Sequence, residues 1–135
     1  MFNIRKGLIA DFNGGAIVYA STIKKAHIRR NKNEWEGPHT FIHVNEPDIA
    51  RDGLDSLKNA YTTAIKLALH YGIEDIALQI ICGDKRGKFD LETIVKTAFD
   101  ALSVKYDTAM SFTFYPRGDE ELEALRNEFQ SRGIK

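Results

Sequence analysis

The chain has 135 residues, with 19 Lys and Arg balanced by 19 Asp and Glu and a hydrophobic content of 43%. That length makes one domain with a sizeable core, and the composition excludes the disordered, collagenous and membrane-spanning classes. The zero net charge conceals a split: residues 1–32 carry seven basic side chains (Arg5, Lys6, Lys24, Lys25, Arg29, Arg30 and Lys32) against the one acidic Asp11, so the remainder is net negative by the same margin.

In chain order, Asn3 to Ala10 and Ala16 to Ala20 are β-rich runs separated by the turn-former Asn13-Gly14-Gly15. Ala26 to Arg30 alternates small or apolar with polar residues, and His39 to Val44 has the composition of a buried strand. Asn33 to Pro38 makes the turn between them. Leu57, Tyr61, Ala64, Ile65 and Ala68 recur at three- and four-residue steps, which predicts a helix from about Asp52 to Tyr71. Asp52 is its expected N-cap, and Gly72-Ile73 its left-handed exit.

Ile76 to Cys82 is an apolar run too short for a helix and bounded by Asp75 and Gly83, the pattern of a strand covered on both faces in a parallel sheet. A polar loop, Gly83 to Lys88, leads to Asp90, the expected cap of a second helix with the stripe Leu91, Ile94, Val95, Ala98 and Leu102. Thr108 to Tyr115 alternates as a further strand. The last helix follows Pro116-Arg117-Gly118, opens on Asp119, Glu120 and Glu121, where the helix dipole favours acids, and buries Leu122, Leu125 and Phe129. About six strands and three helices in this order predict a three-layer α/β fold, a mixed sheet with right-handed parallel crossovers and helices on both faces.

Ligands of such sheets bind beyond the carboxyl ends of the strands. The loops there begin at Ser21-Thr22, at Asn45 and at Gly83. Gly83, Asp84, Lys85, Arg86 and Gly87 combine flexible backbone and charge with the free amides that open the next helix, and an anion such as phosphate is the natural ligand. The loop is no P-loop, because no Gly-Lys-Ser/Thr ends it. Lys24, Lys25, Arg29 and Arg30 create a positive field suited to polyanions, with Tyr19 and Trp35 as the nearest aromatics; the alternative is a charged edge strand that resists aggregation.

The single cysteine, Cys82, excludes a disulfide framework and fits a reducing compartment; at the end of an apolar run it reads as a small core residue rather than a nucleophile. His39 and His43 share a strand face without a third ligand placed by spacing, and His70 sits where a helix dipole favours a cation. No catalytic motif, metal site or cofactor is expected. No stretch is long enough for the core of a signal peptide, so a cytoplasmic location without membrane contact is the expectation.

The residues also resemble the macro domain, a three-layer α/β module that binds ADP-ribose. Gly7-Leu8-Ile9-Ala10 followed by Ala16-Ile17-Val18-Tyr19-Ala20-Ser21-Thr22 is similar to that family's Gly-Asp-Ile turn and Ala-Ile-Val-Asn-Ala-Ala-Asn strand. Phe41-Ile42-His43-Val44 with Pro47 resembles its Val-Ile-His strand, and Gly83 to Gly87 lies where the family has its Ser-Thr-Gly-x-Tyr-Gly phosphate loop. The departures are as informative. Leu8 stands where the family has its adenine-reading aspartate, and Tyr19 and Thr22 stand where it has two asparagines. Between Thr22 and Lys24 the family's helix and glycine-rich loop are missing. The resemblance therefore implies a shortened, non-catalytic binding module for a nucleotide, ADP-ribose-like or RNA phosphate group. A second reading keeps the fold but closes the pocket, leaving a protein-interaction or inhibitor module, such as a viral or mobile-element accessory protein, that binds a partner or forms a homodimer. ADP-ribosyl hydrolysis is the third reading, disfavoured by the missing groups.

Overall fold

The computed structural model describes residues 2–22, 25–30, 40–103 and 110–134, and only the backbone of Arg30. The sequence expectations on Lys24, Lys32, Trp35, His39, the Asn33 to Pro38 turn and the start of the strand at Thr108 lie outside these residues.

Six strands form one sheet: β1 (Phe2–Ile4), β2 (Ala16–Ser21), β3 (His27–Arg30), β4 (Thr40–Asn45), β5 (Asp75–Leu78) and β6 (Ser111–Phe114). Their spatial order is β1-β6-β5-β2-β4-β3. Every neighbouring pair is parallel except β3 with β4, which is antiparallel. The helices are α1 (Ile49–Asp52), α2 (Leu54–His70), α3 (Leu91–Leu102) and α4 (Asp119–Ser131).

Alternation along each strand sorts the side chains onto two faces. Ala16 and Val18, Ile42 and Val44, Ile76 and Leu78, and Phe112 and Phe114 point to the face covered by the helices, where they meet Leu57, Tyr61, Ile65, Ile94, Phe99 and Leu125 in the main core. On the other face Ile17, Ala77 and Tyr115 pack beneath Ile9 and Phe12 of the β1–β2 connection, which contains a 3-10 turn at Ile9–Asp11. Three layers result, with the third thin: helices, sheet, and the β1–β2 connection.

Several predicted boundaries change for physical reasons. The run Asn3 to Ala10 is strand only to Ile4, because β1 is separated from β2 by β6 and β5 and the chain must cross a sheet face to reach its next place. Gly14 and Gly15 make no hairpin. They let this crossing lie on β5, where a Cβ at Gly15 would collide with the Asp75 carbonyl. The predicted helix from Asp52 is interrupted at Gly53, whose φ of 76° is the left-handed region that suits glycine. Asp48, not Asp52, caps α1 by accepting the Arg51 amide at 3.2 Å, while Asp52 pairs with the Arg51 side chain.

The apolar run Ile76 to Cys82 leaves the ladder after Leu78. Ile80, Ile81 and Cys82 remain buried without strand partners, and the Ile81 amide donates to the Tyr61 hydroxyl at 2.9 Å. A continuous apolar run reports burial, which an irregular segment can satisfy as well as a strand. Other caps match expectation: Asp90 accepts the Thr93 amide at 2.8 Å, and the Gly72-Ile73 exit returns the Ile73 amide to the Ala68 carbonyl at 2.8 Å. No described helix is long and apolar enough to cross a membrane.

Candidate ligand site at the carboxyl edge of the sheet

Because β2, β4, β5 and β6 run parallel, their carboxyl ends lie along one edge and bring together loops that are distant in sequence. Ser21 and Asn45 are the last residues of β2 and β4 and are paired in register. The Glu46 amide donates to the Ser21 carbonyl at 3.0 Å and ties the two exits together. Cys82, with φ at 62°, turns the loop after β5 toward them, its thiol 3.4 Å from the Pro47 carbonyl. Gly87, at φ 59°, lies on α1, where an added Cβ would stand 3.3 Å from that of Ala50.

Two cavities open along this edge. The larger, of about 450 Å³, is lined by Thr22, Asn45, Glu46, Asp48, Ser56 and Asn59 among others. Its neighbour, about 380 Å³, lies between Glu46, Asp48, Ala50, Lys85 and Gly87. Glu46, Pro47 and Asp48 line both, so Thr22, Asn45, Lys85 and Gly87 border one composite cleft. Small-molecule sites typically span about 300 to 1,000 Å³.

The charged groups of the predicted phosphate loop are already engaged. Lys85 Nζ lies 3.3 Å from Glu46 Oε2, and Arg86 Nη1 lies 3.3 Å from Glu120 Oε1. Asp84 is exposed. The start of α3 has an anion of its own: the hydrogen bond to Thr93 holds the Asp90 carboxyl below the usual carboxylate range. Gly83 is buried, and a Cβ there would come within 3.0 Å of Glu121 Oε2 and 3.3 Å of Arg117 Nη1. Arg117 donates to the Ile80 carbonyl at 2.9 Å and lies 3.3 Å from Glu121, so this pair fills the edge above β5. A separate cavity of about 270 Å³, lined by Lys6, Gly7, Pro116 and Arg117, lies beyond it at the exits of β1 and β6.

The basic cluster divides. Because β3 runs against the other strands, Lys25 and His27 start it at the carboxyl edge, with Lys25 accepting a 2.8 Å hydrogen bond from His27 Nδ1 at its carbonyl. Arg29 and Arg30 lead away toward the opposite edge, and Arg29 lies on the sheet face opposite the helices, in register with Phe41. Tyr19 stacks on Phe41 and His43 on that same face. Leu8 is 70% exposed and fills no cleft. Burial, with Glu46 and Asp84 adding to it, pushes the Cys82 thiol up to about 11, the behaviour of an inert core cysteine. Glu46, Arg117 and Glu121 had no sequence signal as site residues, since their partners are 37 to 39 residues away or lie in the first turn of α4.

No family model matches the chain. No curated protein matches it in sequence. Solved structures do. The macro domain of ganglioside-induced differentiation-associated protein 2 superposes with a TM-score of 0.79 at 15% identity, over 95% of this chain and 82% of that one. A Trypanosoma brucei macrodomain in complex with ADP-ribose gives 0.76 at 13% identity, over 93% of this chain and 68% of that one. The fold is that of a macro domain. The alphavirus protein P23pro-zbd contains the same fold, with a TM-score of 0.75 at 17% identity; this chain is covered over 97% of its length but spans only 24% of that protein.

Proposed function

We propose that this chain is a non-catalytic binding module of macro type that takes a nucleotide or ADP-ribose-like ligand in the composite cleft at the carboxyl edge. The observation that carries this reading is the convergence of Thr22, Asn45 and Glu46 with the Lys85 to Gly87 loop on one cleft of ligand size. Hydroxyl, amide and carboxylate groups on its wall suit ribose hydroxyls and base amino groups. Lys85 and Arg86 are surface cations whose present partners, Glu46 and Glu120, are replaceable by phosphate oxygens. The ADP-ribose held by the Trypanosoma macrodomain supports the ligand class. The non-catalytic part rests on Leu8, Tyr19 and Thr22 at the positions where the resemblance expects an aspartate and two asparagines. A buried Cys82 thiol that stays protonated fits a cytoplasmic setting.

Calorimetric titration with ADP-ribose, ADP and ATP at low salt tests the reading. One-site binding weakened by Lys85→Ala and Thr22→Val is expected, together with no release of ADP-ribose from a modified protein substrate. Absence of heat and of thermal shift with all three nucleotides would overturn it. The Arg117–Glu121 pair seated on Gly83 favours the second reading, a closed pocket and a protein-binding module, and that result would leave it standing.

A further inference from the structure

On the sheet face opposite the helices, Ile9 and Phe12 cover Ile17, Ala77 and Tyr115. Beside that cover, over the β1-β6-β5 end of the sheet, lies a cavity of about 430 Å³. Strand alternation brings Asn3 of β1, Ser111 and Thr113 of β6 and Asp75 of β5 into its lining, together with Arg5 just beyond β1. Register sets Asn3 beside Thr113 and Asp75 beside Ser111. Phe12 and Gly14 of the β1–β2 connection bound it as well. A Cβ at Gly14 would collide with the Asp75 carboxylate and the Phe12 ring, so this connection lies directly against that carboxylate. Asp75 and Ser111 are the first residues of their strands, which places the cavity toward the end of β5 and β6 opposite to the carboxyl edge.

The polar groups of this cavity are unpartnered. Thr113 is only 7% exposed, yet its hydroxyl has no hydrogen-bond partner among the described residues. No buried side-chain polar atom among them is both sealed from solvent and without a partner, so the Thr113 hydroxyl opens onto the cavity it lines. The half-buried Asp75 carboxylate accepts no hydrogen bond and joins no ion pair with any described residue. Burial pushes its carboxyl above the ordinary value, while the charge of Arg5 acts against that shift. Arg5 is anchored by its own amide, which donates to the Phe114 carbonyl at 2.9 Å. One cation and one carboxylate thus border the same space, close enough to act on each other but not paired. The carboxyl-edge loop differs, since Lys85 and Arg86 there already meet glutamates.

A simple anion in this cavity would meet the Asp75 carboxylate and the exposed Glu74, and a simple cation would meet Arg5. An apolar ligand would strip water from all of them and from the Thr113 hydroxyl without replacing it. A molecule carrying both an ammonium and a carboxylate satisfies both charges by charge-assisted hydrogen bonds. The volume is within the about 300 to 1,000 Å³ of small-molecule sites.

We propose that the cavity between Arg5, Asp75 and Thr113 is a second binding site that takes a free amino acid, its ammonium on Asp75 and its carboxylate on Arg5. The site shares no lining residue with the cleft bordered by Thr22, Asn45 and Lys85, and does not depend on that cleft binding anything.

Amide-resolved NMR of the full chain, titrated with each proteinogenic amino acid to about 10 mM, tests it. At least one amino acid should give saturable shifts at Asn3, Gly14, Ser111 and Thr113, with Thr22 and Asn45 unmoved. Asp75→Asn and Arg5→Gln keep the shape of the lining, and each should weaken that binding at least about tenfold through loss of a charge-assisted hydrogen bond. Thr113→Val should weaken it at least about twofold. The N-acetyl and carboxamide derivatives of the same amino acid, each lacking one charge, should bind at least about tenfold more weakly to the unaltered protein, a comparison that needs no variant to fold. Thermal melts confirm that the variants are folded. Absence of saturable shifts with every amino acid would overturn the proposal. So would shifts that the Asp75 and Arg5 variants leave intact, or derivatives that bind as tightly as the zwitterion.

Discussion

Lys85 and Glu46 join the loop after β5 to the exit of β4, with 3.3 Å between Nζ and Oε2. The lysine is largely exposed, and Glu46 also lines both cavities of the cleft. This carboxylate therefore occupies the cation that a phosphate would use. Exposed ion pairs contribute about 0 to 1 kcal/mol to stability, so Glu46→Gln should leave the urea midpoint nearly unchanged. The same change should raise ADP-ribose affinity severalfold in calorimetric titration, because Lys85 is released and a negative charge is removed. Unchanged or weaker binding would mean that Lys85 takes no part in holding the ligand.

Arg117 holds the middle of the carboxyl edge. Its guanidinium donates to the Ile80 carbonyl at 2.9 Å, its amide donates to Glu121 Oε1 at 3.2 Å, and Glu121 is only 8% exposed. Arg117→Ala leaves that carboxylate and carbonyl poorly satisfied, at a cost of about 1 to 3 kcal/mol. Urea unfolding with an unchanged m-value measures it. Arg117→Lys should recover part of the loss, since one charge is restored without the second donor arm.

Tyr61 is fully buried in α2, and its hydroxyl accepts the amide of Ile81 at 2.9 Å. Burial pushes its phenol well above its usual value, so it remains protonated throughout the working range. Tyr61→Phe keeps the ring but strands a buried amide that no strand ladder reaches, a loss of about 1 to 3 kcal/mol. Amide exchange at Ile81 should accelerate more than at Ile65 or Ala68. Equal acceleration at all three sites would show that the hydroxyl does not anchor the segment after β5.

His43 is held below its ordinary value of 6.5 first by burial and then by the positive charge of His27 and Arg29. The folded state thus binds a proton at this site less readily than the unfolded chain does. Stability is complete above 6.5 and is lost as pH falls through that value, until the lower folded-state pKa has been passed. Thermal melts between pH 5 and 8 should show this slope, and His43→Gln should flatten it. In an NMR titration, Arg29→Gln should move the His43 midpoint upward; an unmoved midpoint would place Arg29 too far away to matter.

Local pattern carried the elements that are amphipathic and capped. The stripes from Leu57 to Ala68 and from Leu91 to Leu102, the Asp90 cap and the Gly72-Ile73 exit are read directly, because each depends on residues three to five positions apart. The same pattern misses where a fully buried run stops being a strand. Ile80 and Ile81 are as apolar as Ile76, and only the absence of a neighbouring ladder, with Tyr61 standing in for it, separates them.

The cleft and the cross-strand ring contacts belong to the second kind of information. Gly83 to Gly87 is legible as a loop rich in glycine and charge, but its closure by Glu46 and Glu120 joins residues brought close by strand order. Tyr19, His27 and His43 come from three strands, and they meet because β4 lies between β2 and an antiparallel β3 in one particular register. The charge split divides for the same reason: the reversal of β3 leaves Lys25 at the cleft edge and carries Arg29 away from it, into register with Phe41. Composition and periodicity report how each residue meets water, and so they determine the α/β class and the helices. Which side chains share a row or border a cleft depends on strand order and register, which only the packed sheet decides.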